Sequence, residues 1–69
     1  MAYDYSKLRG KIREVFGTQT PFAEALGMDP ATLSKKLNNL ADWSRVEIDS
    51  ACELLHIPKE EVHLYFFAC

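Results

Sequence analysis

Thr18-Gln-Thr-Pro-Phe-Ala-Glu-Ala-Leu-Gly-Met-Asp-Pro-Ala-Thr-Leu-Ser-Lys-Lys-Leu-Asn38 decides the fold. Phe22 and Leu26 stand four apart, as do Leu33 and Leu37, so each half repeats apolar residues at helical spacing. Gly27 lies between the halves, where the chain must accept a positive φ. Asp29-Pro30 then restarts a helix, with a carboxylate cap and a proline at the first helical position. Two helices that cross closely need a small residue inside the first, and Ala23 supplies it. Phe22, Leu26, Met28 and Leu33 flank the turn and lock the second helix against the first. Ala23, Gly27 and Leu33 at these spacings predict a helix-turn-helix over 18–38.

Working outward, the first helix is expected over Ser6–Phe16. Leu8, Ile12 and Val15/Phe16 form its buried stripe, Asp4 or Ser6 caps it and Gly17 stops it. Gly10 inside it suggests close packing. Helix two is expected over Gln19–Leu26, with Thr18 as its cap and Pro21 in its first turn. Helix three runs over Pro30–Leu37, and Asn38-Asn39 ends it because asparagine tolerates the left-handed conformation. Ser44-Arg45-Val46-Glu47 is a capping box that opens helix four. Ile48, Ala51, Cys52 and Leu55 then give the i, i+3, i+4, i+7 face. His56 follows as a variant of the usual cap glycine. Helix five starts at Ile57-Pro58 and carries Val62 and Tyr65 inward. No alternating strand pattern appears. The fold class is therefore all-α: one compact domain over 1–69, a bundle of five short helices containing a helix-turn-helix.

Three side-chain groups have two readings each. Trp43 is a core or staple residue, or a surface anchor. Val46 and Leu54 lie off the buried stripe, as ordinary exposed residues or as a protein-binding patch. Tyr65, Phe66 and Phe67 fold back on helix one, or else form a dimer or partner surface.

The 69 residues allow one small core. Net charge is −2, but its distribution is uneven. The chain is +2 through Arg45 and −4 after it. A basic front and acidic back fit an oriented nucleic-acid binder, and equally a plain solvated surface. Cys52 and Cys69 are read as two free thiols rather than a disulfide framework. Cys52 and His56 are four apart and could share a helix face, yet only His63 remains as a third nitrogen ligand and the usual paired-ligand spacing is absent, so no metal site is expected. There is no nucleophile elbow, phosphate loop or metal motif, so neither catalysis nor a cofactor is expected. The start, Met-Ala-Tyr-Asp-Tyr-Ser-Lys, lacks the apolar core of a signal peptide, and no apolar run reaches membrane-spanning length. A cytoplasmic protein with no membrane contact is expected.

Several stretches together carry a family resemblance. They are Tyr3-Asp4-Tyr5-Ser6-Lys7-Leu8, Phe16-Gly17-Thr18-Gln19, Thr32-Leu33-Ser34-Lys35-Lys36-Leu37-Asn38, and Pro58-Lys59-Glu60-Glu61 leading to Tyr65-Phe66-Phe67. With them the chain resembles the lambda-repressor-like, Cro/C1-type helix-turn-helix domains. It is similar in particular to the short phage proteins labelled putative Cro repressors, a group that includes modulator-of-repression antirepressors. The resemblance covers essentially the whole chain. It implies a phage transcriptional regulator of a lysis/lysogeny switch, acting in a bacterial host cell on double-stranded operator DNA, as a possible homodimer. The alternative it implies is an antirepressor that binds a phage repressor's DNA-binding domain and blocks its operator binding.

The resemblance implies DNA contacts at Gln19, which opens helix two, with Thr20 beside it. On helix three it implies contacts at Ala31, Thr32, Ser34 and Lys35. Lys35 and Lys36 would neutralise phosphates, and Asn38 or Asn39 would bond one at the helix end. The alternative for each is a solvated face, or for Thr32 a helix-start role. The start of helix three departs from a good reader. Its first residues would meet base edges, but Asp29 is occupied as a cap and repels phosphate. Pro30 has no N–H, and Ala31 can touch only a thymine methyl.

Overall fold

The computed structural model describes residues 2–68. Five α-helices run in the order α1 (Ser6–Phe16), α2 (Gln19–Leu26), α3 (Pro30–Leu37), α4 (Arg45–Leu55) and α5 (Val62–Phe66). A 3₁₀ turn over Lys59–Glu61 leads into α5. No strand occurs among the described residues. Helix α2 is central. It packs on α1, α3 and α4, while α1 also receives α5. Leu8, Ile12, Phe22, Leu33, Leu55 and Phe66, the largest fully buried side chains, make the heart of the core. Ala23 and Ala51 are fully buried, so α2 and α4 each bring a small residue to it.

The helix ends follow from local chemistry. Asp29 Oδ1 accepts from Ala31 N–H at 2.8 Å, and Pro30 takes the first position of α3. Ser44 Oγ accepts from Glu47 N–H at 3.1 Å, while Glu47 Oε1 accepts from Ser44 N–H at 2.8 Å, completing the box. Three helices end alike, each on a left-handed residue: Gly27 (φ 73°), Asn39 (φ 62°) and His56 (φ 57°). After each, the next N–H reaches back over the helix end: Met28 to Ala23 O, Leu40 to Lys35 O and Ile57 to Cys52 O, at 2.8 to 2.9 Å. These are Schellman closures, which satisfy carbonyls the helix leaves open.

Some expectations need correction. Thr18 holds the cap position of α2, but its side chain accepts no capping hydrogen bond. At α1 the cap position falls to Tyr5, and Asp4 Oδ1 takes Ser6 N–H at 2.9 Å and Ser6 Oγ–H at 2.6 Å. Gly10 marks no close packing, since a Cβ there would meet nothing within 4 Å. Val15 is 39% exposed, and Phe16 alone closes the stripe, tilted against Phe22 with centroids 5.3 Å apart. Leu54 packs partly against the core, whereas Val46 is 72% exposed.

The aromatic tail folds back. Lys7 Nζ lies 5.4 Å from the centre of the Tyr65 ring, and Phe66 meets Trp43 edge-on with centroids 5.1 Å apart. Trp43 sits just before the Ser44 cap, and it lines one cavity of about 300 Å³ with Ile48, the partner position of a hydrophobic staple. Its Nε1 is buried and has no hydrogen-bond partner among the described residues. The N-terminal strip is pinned to the C-terminal segment: Asp4 N–H donates to Ala68 O at 2.7 Å, and Tyr3 packs edge-on against Phe67. Cys52 is a free, buried thiol whose pKa burial raises; the expectation for Cys69 lies outside the described residues. No helix among the described residues is long and apolar enough to cross a membrane.

Candidate functional site

The residues singled out as contacts divide into three groups. Ala31, Thr32 and Lys35 are exposed on α3, and Ser34 is half-buried beside them. This follows from the helical period, since Leu33 and Leu37 fix the inner face and positions 31, 32, 34 and 35 fall away from it. Gln19 and Thr20 form a second group at the start of α2. Gln19 lines a cavity of about 250 Å³ with Arg9, Ile12, Arg13, Gly17 and Thr18. No α3 residue lines that cavity, so it groups Gln19 with the bases of α1.

The third group is Lys36, Asn38 and Asn39, whose polar groups are already engaged. The sequence sets Lys36 beside Lys35 as a base turned to solvent, but the structure turns it inward. Position 36 is three after Leu33 and falls on the buried face. Lys36 is 8% exposed, its ammonium donates to Asp42 O at 2.6 Å, and it pairs with Glu47 Oε1 at 3.0 Å. Burial pushes the Glu47 carboxyl upward, but hydrogen bonds from Ser44 and Lys36 outweigh it and hold the group below the usual carboxylate range. Asn38 Oδ1 accepts from Arg9 Nη2 at 2.8 Å. Asn39 spans the Tyr3 backbone, accepting from its N–H at 2.9 Å and donating to its carbonyl at 2.8 Å.

The basic front is therefore mostly spent inside the molecule. Arg9 also donates to Leu37 O at 2.9 Å, so it closes the C-terminal end of α3, where a cation is favoured. Lys7 lies over Tyr65, Lys11 pairs with Glu14 at 3.3 Å, and Arg45 with Asp49 at 3.9 Å. Of the seven bases through Arg45, only Arg13 and Lys35 have no ion pair, hydrogen bond or ring contact among the described residues. A sequence signal for Lys36 was available in its i+3 spacing from Leu33. None was available for Arg9, whose carbonyl partner is 28 residues away. Leu40, 75% exposed at the corner after α3, likewise carries no sequence signal, because no helical pattern reaches it.

The comparisons with known proteins agree with this helical frame. A family described as "Protein of unknown function (DUF739)" matches residues 1–69. The chain belongs to the DUF739 family. A solved structure matches with a TM-score of 0.83 and 45% identity, covering 97% of this chain and 90% of the other. It is the solution structure of the modulator of repression (MOR) of the temperate bacteriophage TP901-1 from Lactococcus lactis. No curated protein matches. This DUF739 chain and that phage protein thus share one helical fold over nearly their full lengths.

Proposed function

We propose that this chain is a modulator of repression: a small phage regulator that binds the DNA-binding domain of a phage repressor and blocks its operator binding. The observation that carries the reading is the 45% identity to the TP901-1 modulator over 97% of this chain. The spent bases support it. Affinity for duplex DNA comes chiefly from cations that displace counterions at phosphates, and here most cations of the front already have internal partners. Asp29 and Pro30 at the tip of α3 also lack the donors that would read bases. In this reading the protein works in the cytoplasm of the bacterial host and catalyses nothing.

The second reading keeps α2 and α3 as a Cro/C1-type helix-turn-helix that reads operator DNA itself, as a homodimer. It is favoured by the outward row Ala31, Thr32, Ser34 and Lys35. One gel-shift series separates the two. The probe is operator DNA from beside this chain's gene, with the neighbouring repressor and this chain added singly and together. The antirepressor reading expects no shift by the chain alone and loss of the repressor–operator band as the chain is added. A sequence-dependent shift by the chain alone, with the repressor band unaffected, overturns it in favour of the second reading.

A further inference from the structure

Two adjoining cavities lie between α4 and the segment from the 3₁₀ turn into α5, of about 350 and 400 Å³. They share Arg45, Asp49, Lys59 and Val62, so they form one groove. Its apolar lining runs from Cys52 and Ile57 at one end, through Val62, to Ile48 and Phe67 at the other. The charged lining itself is balanced, Asp49 and Glu53 against Arg45 and Lys59, and Glu60 and Glu61 on the adjoining 3₁₀ turn make its surroundings acidic. All four carboxylates are exposed. The Arg45–Asp49 pair is long and its side chains are 92% and 69% exposed, so it holds neither charge back from a partner.

We infer that this α4–α5 groove, and not the outer face of α3, is the surface that takes the repressor's DNA-binding domain. The inference rests on the proposed function and adds to it the docking site. The occupant is a basic amphipathic segment: its apolar side chains seat along Ile48, Cys52 and Val62, and its lysines and arginines meet the carboxylates of the rim. Charge decides between the two faces. A domain that binds operator DNA must present a cationic surface. With Arg45 counted on the groove that it lines, the front through Ser44 is +1 and gains nothing from such a surface, whereas residues 45–69 are −3 and attract it. The groove adds the concave apolar area that a charge patch alone lacks, and helix-in-groove recognition uses such area for its anchors.

The test titrates isotope-labelled chain with the unlabelled DNA-binding domain of the repressor encoded beside its gene, following amide shifts. The groove reading expects the shifts to cluster over 45–55 and 57–62. Glu53→Lys weakens binding by about tenfold or more, and Lys35→Glu leaves it within about twofold. Glu53 lies in the last turn of α4, where a lysine is favoured by the helix dipole, so lost binding in that variant does not come from unfolding. Shifts confined to α2 and α3, with Glu53→Lys binding normally, overturn the groove while the antirepressor reading stands. Absence of any binding by the unaltered chain overturns both. Salt-sensitive self-association of the chain alone through the same residues overturns the repressor as occupant and assigns the groove to a second copy.

Discussion

Lys36 Nζ stands 3.0 Å from Glu47 Oε1, and this contact ties the last turn of α3 to the first turn of α4. The same ammonium holds Asp42 O at 2.6 Å, so one side chain secures both sides of the connecting loop. Glu47 in turn closes the capping box on Ser44. Replacing Lys36 by methionine keeps the aliphatic stem but removes the side-chain donor to Asp42 O and leaves the Glu47 carboxylate with the Ser44 N–H but no cation. Lys36→Met is expected to cost about 1–3 kcal/mol, the penalty of an unsatisfied buried group. Urea denaturation measures it. A variant as stable as the parent would return Lys36 to the pool of surface bases available to phosphate.

The Glu47 carboxyl makes part of that stability depend on pH. Its folded pKa is depressed below the ordinary value of 4.5, so its contribution is fully present above 4.5 and is lost as pH falls through the lower folded value. Asp4, also depressed by its bonds to Ser6, titrates in the same acid window, so total stability cannot isolate Glu47. Glu47→Gln can. Glutamine still serves the capping box but carries no charge for Lys36. The variant is expected to be less stable than the parent at pH 7, with the gap closing below pH 4.5. Paired denaturation curves across pH 3–7 check this; a gap that widens on acidification would contradict the assignment.

Backbone conformation gives a third set of expectations with opposite signs. His56 holds φ 57° and Gly27 φ 73°, both at Schellman closures. A side chain in the left-handed region costs about 1 kcal/mol relative to glycine. His56→Gly should therefore stabilise, and Gly27→Ala should destabilise by about the same amount. Gly10 sits inside α1 with open space around it, so Gly10→Ala should add roughly 0.5–1 kcal/mol. Thermal melts of the three single variants read the signs directly. A destabilised Gly10→Ala would mean that a neighbour approaches α1 more closely than the structure shows.

These positions also show what a sequence can and cannot display. Helix limits were legible because their causes are local: Asp29-Pro30, the Ser44–Glu47 box, and the cap residues at Gly27, Asn39 and His56. The core was legible because helical spacing identifies Leu33, Leu37, Ala51 and Leu55. The candidate contacts were less so. Lys36, Asn38 and Asn39 have the composition of a DNA-facing helix end, yet their partners, Glu47, Arg9 and Tyr3, come from elsewhere in the chain. Whether a polar side chain is free or spent depends on long-range packing, which periodicity does not encode. The groove between α4 and α5 was hidden for the same reason. Asp49 and Val62 line one groove only because the 3₁₀ turn sets the start of α5 beside α4.

The spent bases lead to a measurable expectation for nucleic acid. Each phosphate neutralised contributes about 0.9 to the slope of log affinity against log salt on duplex DNA. With Arg13 and Lys35 lacking partners among the described residues and Arg45 only loosely paired, this chain alone should bind nonspecific duplex weakly, with a slope of about 3 in magnitude. Fluorescence anisotropy on a labelled duplex over a range of salt gives the slope. Arg13→Gln with Lys35→Gln should lower the slope to about 1. A slope of about 5 or more would mean that Lys36, Arg9 or Lys7 abandons its internal partner for phosphate. Lys36→Met would then lower DNA affinity as well as stability, and DNA reading by α3 would again be the better account.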